Sequence, residues 1–180
     1  MSWGLRPDLF VQSVTCIDLD DLRAKGIAGL AFDLDNTLVP WNTAHLTQDV
    51  VDWFAGMHAA GVRGCIVSNA GGRRVLSVAD RLGVPVLTWA GKPRTTAFLA
   101  AARLLDLDPS RVAMVGDQVF TDMYGARRAG MFTILVPPIS GRDFATTRLL
   151  RLLERFLLNR WKRLGLMTWW PEGGRSPCSR

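Results

Sequence analysis

The sequence is poor in the residues that build disulfide scaffolds and transition-metal sites. Its 180 residues include three cysteines and two histidines. Cys16, Cys65 and Cys178 are widely spaced and odd in number, so neither a disulfide framework nor a cysteine metal site is predicted. His45 and His58 lie far apart, and each is expected to cap a helix or face solvent. A reducing, cytoplasmic setting is therefore expected.

The chain also lacks a hydrophobic run long enough to cross a membrane. No uninterrupted apolar stretch approaches the roughly 18 residues of a spanning helix. Asp8, Gln12 and Ser13 interrupt the N-terminal segment where a signal peptide would have its apolar centre. We therefore expect neither a transmembrane segment nor export by that route. With 48% hydrophobic residues, a chain of this length can bury one substantial core, which favours a single domain.

Short apolar runs alternate with helical patterns along most of the chain. Strands are predicted near residues 28–32, 63–67, 84–88, 112–115 and 132–136, and helices near 47–60, 72–82, 94–105 and 121–129. This alternation is typical of an α/β fold with a doubly wound, Rossmann-like parallel sheet. In such a sheet, ligands bind in the crevice beyond the carboxyl ends of the strands.

A pair of aspartates follows the first of these predicted strands. Asp33 and Asp35 lie two residues apart, directly after the apolar run that ends at Phe32. Both can point into one pocket, where one carboxylate attacks an electrophile and binds a cation while the other shuttles a proton. Taken alone, the pair could also be two solvated loop aspartates, so the catalytic interpretation depends on the segments that follow.

Polar residues also end the next two predicted strands. Ser68 and Asn69 can offer a hydroxyl and backbone N–H groups to phosphate oxygens, although an ordinary helix cap is the structural alternative. Lys92 lies between Gly91 and Pro93, and this rigid turn aims a positive charge at one place. Phosphate is the usual target of such a lysine.

Two more acids follow the strand predicted at residues 112–115. Asp117 comes directly after Gly116, and Asp122 lies five positions further on. Carboxylate oxygens are the hard ligands that Mg²⁺ prefers. Asp122 could instead cap the helix that follows it. Together with the preceding motifs, these acids predict a phosphate-handling magnesium site.

In this order, the four motifs resemble those of the haloacid dehalogenase (HAD) superfamily of phosphatases, over about residues 28 to 137. More narrowly, the segments from Asp33 to Val39 and from Gly116 to Asp122 are similar to the YqeG branch, which groups with phosphatidylglycerophosphate phosphatases. Arg74-Val75 and the chain end around Glu154 fit the same branch. The chain departs from it at Arg127-Arg128, where the branch tends to show an asparagine before the arginine.

The resemblance implies an Mg²⁺-dependent phosphomonoesterase that forms an aspartyl-phosphate. It implies that Asp33 is the nucleophile and Asp35 the general acid and base. The implied catalytic residues are Asp33, Asp35 and Lys92. The implied substrate-binding residues are Ser68, Asn69, Lys92 and Arg74. The implied metal ligands are Asp33, Asp35 through its backbone carbonyl, Asp117 and Asp122.

The spacing of the motifs leaves no room for a cap domain. The chain from Asp35 to Ser68 must contain a flap, a helix and a strand, and that from Asn69 to Lys92 another helix and strand. A cap encloses small substrates, so a capless site is expected to accept a phosphate on something large, such as a lipid headgroup or a macromolecule. A small flap is expected at Val39-Pro40-Trp41-Asn42. Its Trp41 either contacts substrate or makes a core or turn contact.

The positive charge of the chain is concentrated near its C-terminus. Residues 1–147, the expected HAD-like phosphatase domain, carry 14 basic and 14 acidic residues, whereas residues 148–163 carry six basic and one acidic. Residues 148–180 are predicted to form a basic amphipathic helix and tail of the same domain. Trp161, Trp169 and Trp170 fit an interfacial segment that binds anionic lipid. The alternative is a final helix that packs its leucines on the sheet and leaves its arginines in water.

The most consistent function is a phosphatidylglycerophosphate phosphatase in the cytoplasm, peripheral at the inner membrane face. Its expected partners are a phosphorylated substrate and an anionic lipid surface. No specific nucleic-acid partner is predicted, because no nucleic-acid-binding module is legible. One alternative is a cytosolic HAD phosphatase for a sugar, a nucleotide or a phosphoprotein. Another is a non-catalytic binding protein that docks a partner through its basic tail, against which the convergence of acids argues.

Overall fold

The computed structural model describes the backbone of residues 5–140 and 148–166, with side chains over 5–140 and 153–166. The strands of the described chain are β1 (Leu9–Phe10), β2 (Gly29–Phe32), β3 (Arg63–Val67), β4 (Val86–Leu87), β5 (Val112–Gly116) and β6 (Phe132–Leu135). Its α-helices are α1 (Leu19–Ala24), α2 (Gln48–Ala59), α3 (Arg73–Leu82), α4 (Thr95–Leu104), α5 (Tyr124–Arg128) and α6 (Arg148–Arg163). Single 3₁₀ turns cover Val14–Cys16 and Pro109–Arg111, and a π-helical turn covers Val119–Met123.

The six described strands form one sheet in the order β1-β6-β5-β2-β3-β4, and every pairing between them is parallel. Strand β2 lies between β3 and β5, so the strand order reverses around it. Every residue of β2 and β5 is buried, as expected for central strands covered by helices on both faces. The predicted doubly wound α/β fold is confirmed, and the described connections between the motifs contain no cap domain.

Alternate residues of β2 pack into the two hydrophobic cores on opposite faces of the sheet. Leu30 and Phe32 belong to the cluster that includes Phe54 of α2, whereas Ala31 belongs to the cluster that includes Phe98 of α4. This alternation follows from the two-residue period of a strand. Burial on both faces holds the sheet rigid and holds the ends of its strands in place.

The predicted elements agree with the structure except at the start of the domain and at residues 119–123. β1 and α1 are absent from the sequence prediction, because elements of two and six residues are too short to show a period. The helix predicted at 121–129 is also wrong in type at its start. Residues Val119–Met123 form a π-helical turn, and only Tyr124–Arg128 are α-helical. Such turns are frequent at functional sites.

Helix α6 packs one face on the domain and exposes the other. The Trp161 ring lies edge-to-face against Phe10 of β1, with 6.3 Å between the ring centroids. Leu153 and Phe156 are 51% and 60% exposed, beside exposed arginines on the outer face. The packed helix and the basic exposed surface are therefore two faces of one element. Trp169, Trp170 and the predicted boundary at residue 147 lie outside the described residues.

None of the helices in the described part of the chain combines the length and apolar composition of a membrane span.

Candidate active site

Each sequence motif lies at the carboxyl edge of the sheet. Asp33 follows β2, Ser68 follows β3, Lys92 lies beyond β4, and Asp117 follows β5. Asp33, Ser68 and Lys92 line a cavity of about 430 Å³, within the usual range for ligand sites. The cavity is lined by Asp33, Asp35, Asn36, Trp41, Asn42, Ser68, Asn69, Ala70, Gly71, Arg74, Trp89, Lys92, Gln118, Thr121 and Asp122.

Lys92 forms the centre of the charged cluster. Its Nζ donates hydrogen bonds to Asp33 Oδ1 at 2.6 Å and to Asp122 Oδ1 at 2.7 Å. The lysine side chain is only 3% exposed, so both ion pairs are shielded from water. Buried pairs of this kind need further hydrogen bonds to offset the loss of hydration.

Asn69 holds the backbone of that lysine in place. Its Oδ1 accepts a hydrogen bond from Lys92 N at 2.8 Å, and its Nδ2 donates to Lys92 O at 3.2 Å. The amide therefore links the end of β3 to the lysine turn. Ser68, predicted to bind substrate with Asn69, accepts a hydrogen bond from Ala70 N through its hydroxyl at 3.1 Å. Ser68 also lines the cavity.

Burial and charged neighbours both shift the pKa values of Asp33 and Lys92. Burial raises the pKa of Asp33 to about 6; the Lys92 ammonium opposes this rise, and the neighbouring Asp122 carboxylate adds to it. Burial acts to lower the pKa of Lys92, but attraction to Asp122 and Asp33 outweighs it and the pKa lies above its usual value. Lys92 is therefore a permanent cation at neutral pH and cannot act as a base.

Three acids at this edge have the arrangement of a cation site. One carboxylate oxygen from each of Asp33, Asp117 and Asp122 lies within 4.8 Å of the other two, and all three residues are buried. The Lys92 ammonium supplies one positive charge to the three carboxylates, so the ionised cluster has an excess of negative charge. A divalent cation with a preference for oxygen ligands fits both the charge and the donor type. Of the predicted metal ligands, Asp33, Asp117 and Asp122 therefore have an arrangement that fits Mg²⁺, and the Asp35 carbonyl stays a prediction.

Gly116 makes room for one of these acids. A Cβ atom added to Gly116 would lie 2.4 Å from Asp122 Oδ2. The same Oδ2 accepts a hydrogen bond from Gln118 N at 3.2 Å. The glycine at the end of β5 is thus required for the carboxylate to fold back over the turn.

Asp35 is held away from the lysine cluster. Arg74 grips its carboxylate with two parallel hydrogen bonds, Nη1 to Oδ1 at 2.9 Å and Nη2 to Oδ2 at 2.8 Å. Asn42 N donates to Asp35 Oδ1 at 2.8 Å, and Arg74 Nη1 also donates to Thr43 O at 2.9 Å. These bonds join the start of α3 to the flap that follows β2.

The flap also positions an aromatic side chain. Asn36 is buried with φ of 64°, and its Oδ1 accepts hydrogen bonds from the backbone and hydroxyl of Ser140. Beyond this anchored turn, the half-buried Trp41 lies in the cavity wall. Trp41 is therefore placed where it can contact a substrate in the cavity, the first of its two predicted roles.

Sequence reasoning missed a second tryptophan at the cavity. Trp89 is 75% exposed, and its backbone has a φ of 53°, a region that bulky residues seldom adopt. Its indole lies against Gly71, since a Cβ atom there would be 2.3 Å from Trp89 Nε1. Gln118 and Thr121 of the cavity wall were also missed. The position of Trp89 in the sequence, just before the Gly91-Lys92-Pro93 turn, could have indicated that it lies near the site.

Arg127 and Arg128, where the sequence departs from the pattern of the YqeG branch, lie outside the cavity lining. Arg127 Nη2 donates to Asp8 Oδ1 at 2.5 Å, and Asp8 Oδ2 accepts from the Thr133 hydroxyl at 2.7 Å. These bonds join α5 to strand β6 and to Asp8, which directly precedes the edge strand β1.

Comparison with known proteins gives the class. The HAD-hydrolase-like family model matches residues 89–140. The Bacillus subtilis (strain 168) protein described as probable phosphatase YqeG is 38% identical over 163 residues, 91% of this chain and 95% of that protein. The chloroplastic phosphatidylglycerophosphate phosphatase 1 of Chlamydomonas reinhardtii is 29% identical over 171 residues, 89% of this chain and 63% of that protein. A crystal structure of an uncharacterized protein from Listeria monocytogenes serotype 4b has the same fold, with a TM-score of 0.51, 19% identity and coverage of 74% of this chain and 99% of that one.

A parallel sheet with acids and a lysine at its carboxyl edge fits a HAD-type hydrolase, the class that the family model indicates. Within that class, the chain belongs to the HAD phosphatases of the YqeG family, because it matches the Bacillus subtilis protein over nearly its whole length. The resemblance inferred from the four motifs is confirmed, and so is the prediction that the protein is a phosphatase.

Proposed function

We propose that this phosphatase is an Mg²⁺-dependent phosphomonoesterase that acts on phosphatidylglycerophosphate through an aspartyl-phosphate. The observation that carries the reaction is the buried cluster in which Asp33 and Asp122 share the Lys92 ammonium. Such a cluster presents a carboxylate nucleophile beside fixed positive charge, in a cavity that opens to solvent.

In this reaction Asp33 attacks phosphorus and the alcohol leaves. Lys92 Nζ, 2.6 Å from Asp33 Oδ1, stabilises negative charge on the transferring oxygens. The Thr37 hydroxyl, 3.4 Å from Asp33 Oδ2, helps to orient the carboxylate. Bound Mg²⁺ would be held by Asp33, Asp117, Asp122 and the Asp35 carbonyl, and would offset repulsion between the nucleophile and the phosphate.

Asp35 supplies the proton transfers. It protonates the leaving oxygen and later activates the water that hydrolyses the aspartyl-phosphate. Ser68 offers its hydroxyl to the phosphate from the end of β3. Asn69 acts on the substrate through Lys92, because its amide is bonded to the lysine backbone.

A lipid substrate is supported by the shape and rim of the site. The relative from Chlamydomonas reinhardtii is described as a phosphatidylglycerophosphate phosphatase. No cap domain covers the cavity in the described part of the chain, and Trp41 and the exposed Trp89 line it. Aromatic side chains of this kind suit the interface between headgroups and water.

Helix α6 supplies a surface for the anionic bilayer and makes the enzyme a peripheral protein at the inner membrane face. Its Glu154 accepts a hydrogen bond from Phe120 N at 3.3 Å, so the helix contacts the turn that carries Asp122. The exposed face combines Leu153 and Phe156 with basic residues. Charge attraction and apolar contact together favour binding to an anionic surface.

The direct test is a comparison of substrates. Purified protein is given phosphatidylglycerophosphate in vesicles, sugar phosphates, nucleotides and phosphopeptides, with and without Mg²⁺, and phosphate release is measured. The proposal expects Mg²⁺-dependent release that is fastest from the lipid. Faster release from a sugar phosphate, a nucleotide or a phosphopeptide would support a cytosolic phosphatase instead, and no release from any of them would favour a binding protein.

A further inference from the structure

The ion pair between Arg74 and Asp35 is unusual in its position. It lies in the wall of the catalytic cavity, and both nitrogens of the guanidinium fork hold both oxygens of the proposed acid–base residue. With the bond from Asn42 N, the Asp35 carboxylate accepts three hydrogen bonds. A carboxylate held in this way is directed at Arg74 and the flap, and must give up part of this pairing to serve the leaving oxygen.

The two cations of the cavity differ in how readily they can exchange partners. Lys92 is 3% exposed and its partners Asp33 and Asp122 are 11% and 1% exposed, so both ion pairs of that cluster are buried. The side chains of Arg74 and Asp35 are each 21% exposed. This pair therefore borders the open cavity, where an incoming anion can reach the guanidinium and compete with Asp35 for it.

The geometry of the guanidinium defines which anion could do so. A planar fork with two parallel N–H groups matches a carboxylate or a phosphate group. The phosphate that is cleaved is taken by the lysine cluster. The anion that reaches Arg74 must therefore belong to another part of the same substrate.

We propose that Arg74 is the binding residue for a second anionic group on the substrate, and that its transfer from Asp35 to this group frees the Asp35 carboxylate for catalysis. This inference rests on the proposed phosphatase reaction and defines its substrate class. The preferred substrates are phosphomonoesters that carry a phosphodiester or a similar anion a short distance away. Phosphatidylglycerophosphate belongs to this class, because its headgroup contains both groups.

Two soluble compounds of equal size test the inference. One is glycerophosphoglycerol phosphate, the deacylated headgroup with its phosphodiester anion. The other is the same molecule with the phosphodiester methylated to a neutral triester. Release of inorganic phosphate from each is measured with Mg²⁺, so that kcat/KM can be compared. We expect wild type to prefer the anionic compound by about tenfold, the range of a charged hydrogen bond.

Variants then assign the preference to one residue. Arg74→Gln should hydrolyse the two compounds at equal kcat/KM, whatever its overall activity, because only the charge of the second group distinguishes them. Arg74→Lys should retain part of the preference, since it keeps the charge but not the fork. Arg73→Gln is the matched control: Arg73 is exposed on the same turn of α3 and should keep the full preference.

The outcomes separate this inference from the phosphatase itself. Equal hydrolysis of both compounds by wild type would overturn the role of Arg74 and leave the phosphatase intact. A preference that survives in Arg74→Gln would overturn it as well. If the protein hydrolyses neither compound, the proposed substrate class is wrong and so is the inference that rests on it. Should Arg74→Gln fail to fold, the wild-type comparison and Arg74→Lys still decide.

Discussion

Asp33 is the residue on which the proposed covalent reaction depends. Exchange of its carboxylate for an amide, Asp33→Asn, preserves shape and removes the attacking oxygen. We expect phosphate release to be abolished while the circular dichroism spectrum is unchanged. Asp49→Asn, on the exposed start of α2, is the matched control and should retain full activity. Undiminished turnover in purified Asp33→Asn would contradict the covalent mechanism.

A second prediction concerns the proton transfers. Asp35→Asn keeps the hydrogen-bond geometry of one oxygen but cannot carry the proton. We expect kcat to fall by about 10²–10⁴-fold, the usual contribution of general acid–base catalysis. A substrate with a good leaving group needs less help from an acid, so its first step should be affected less than that of an alkyl phosphate. Equal kcat values for Asp35→Asn and wild type on an alkyl phosphate would exclude this role.

Lys92 sets the stability of the site. Lys92→Met would leave Asp33 and Asp122 buried without their cation, which typically costs about 3–5 kcal/mol. We expect a loss of this size in the free energy of unfolding, measured by urea denaturation without Mg²⁺. Lys25→Met is the control, because Lys25 forms a partly exposed ion pair with Asp21 and should lose at most about 1 kcal/mol. Equal losses in the two variants would show that the buried cluster is not a stabilising unit.

At the scale of elements, α6 joins the catalytic turn to the outer surface of the domain. Trp161 and Glu154 are buried on one side of the helix, against Phe10 and Phe120. Its described exposed side chains include basic residues together with Leu153 and Phe156. A helix that is packed on one side and basic on the other can be altered in charge without unfolding the domain.

The charge of that outer face is expected to control binding to vesicles. Four exposed residues are changed to glutamine in one variant: Arg155, Arg160, Lys162 and Arg163. Each basic residue near an anionic bilayer contributes about 1 kcal/mol, so binding to anionic vesicles should weaken by at least about tenfold. Wild-type binding should also fall with salt, because exposed charges are screened within about 8–10 Å. Vesicle sedimentation measures both effects.

A control with the same change in total charge separates position from net charge. The control variant changes four exposed residues elsewhere: Arg73, Arg81, Arg103 and Arg111. It should bind vesicles nearly as wild type does. Both variants should still hydrolyse a small soluble phosphate ester, because the catalytic groups lie on the sheet. Equal vesicle binding by wild type and the α6 variant would favour a helix whose arginines only face water.

At the scale of the whole molecule, the acids of β2, β5 and the π-helical turn are brought together only in the folded state. Mg²⁺ that binds them should therefore stabilise the fold, by about 2.7 kcal/mol at a concentration 100-fold above Kd. We expect the melting temperature to rise with Mg²⁺, and activity to vanish on chelation and return when Mg²⁺ is added. Asp117→Asn should show little of this stabilisation. Full activity of the metal-free protein would contradict the proposed site.

Much of the fold is legible in the sequence because its elements have strong local signals. Five of the six described strands and most helices show the period of their type, and the motif residues follow directly after strands. Because parallel strands end at one edge, Asp33, Ser68 and Asp117 had to converge there. The charge of α6 was equally plain, since the net positive charge of the chain is concentrated in it.

Only the tertiary structure decided which side chains became partners. Arg74 reaches Asp35 across 39 positions, and Asn69 reaches Lys92 across 23. Trp89 lies against Gly71, and β1 joins the far edge of the sheet beside β6. No local pattern specifies these contacts, because each depends on the packing of elements distant in the chain. The sequence determined the fold and the chemical groups of the site, whereas long-range packing determined how those groups are paired.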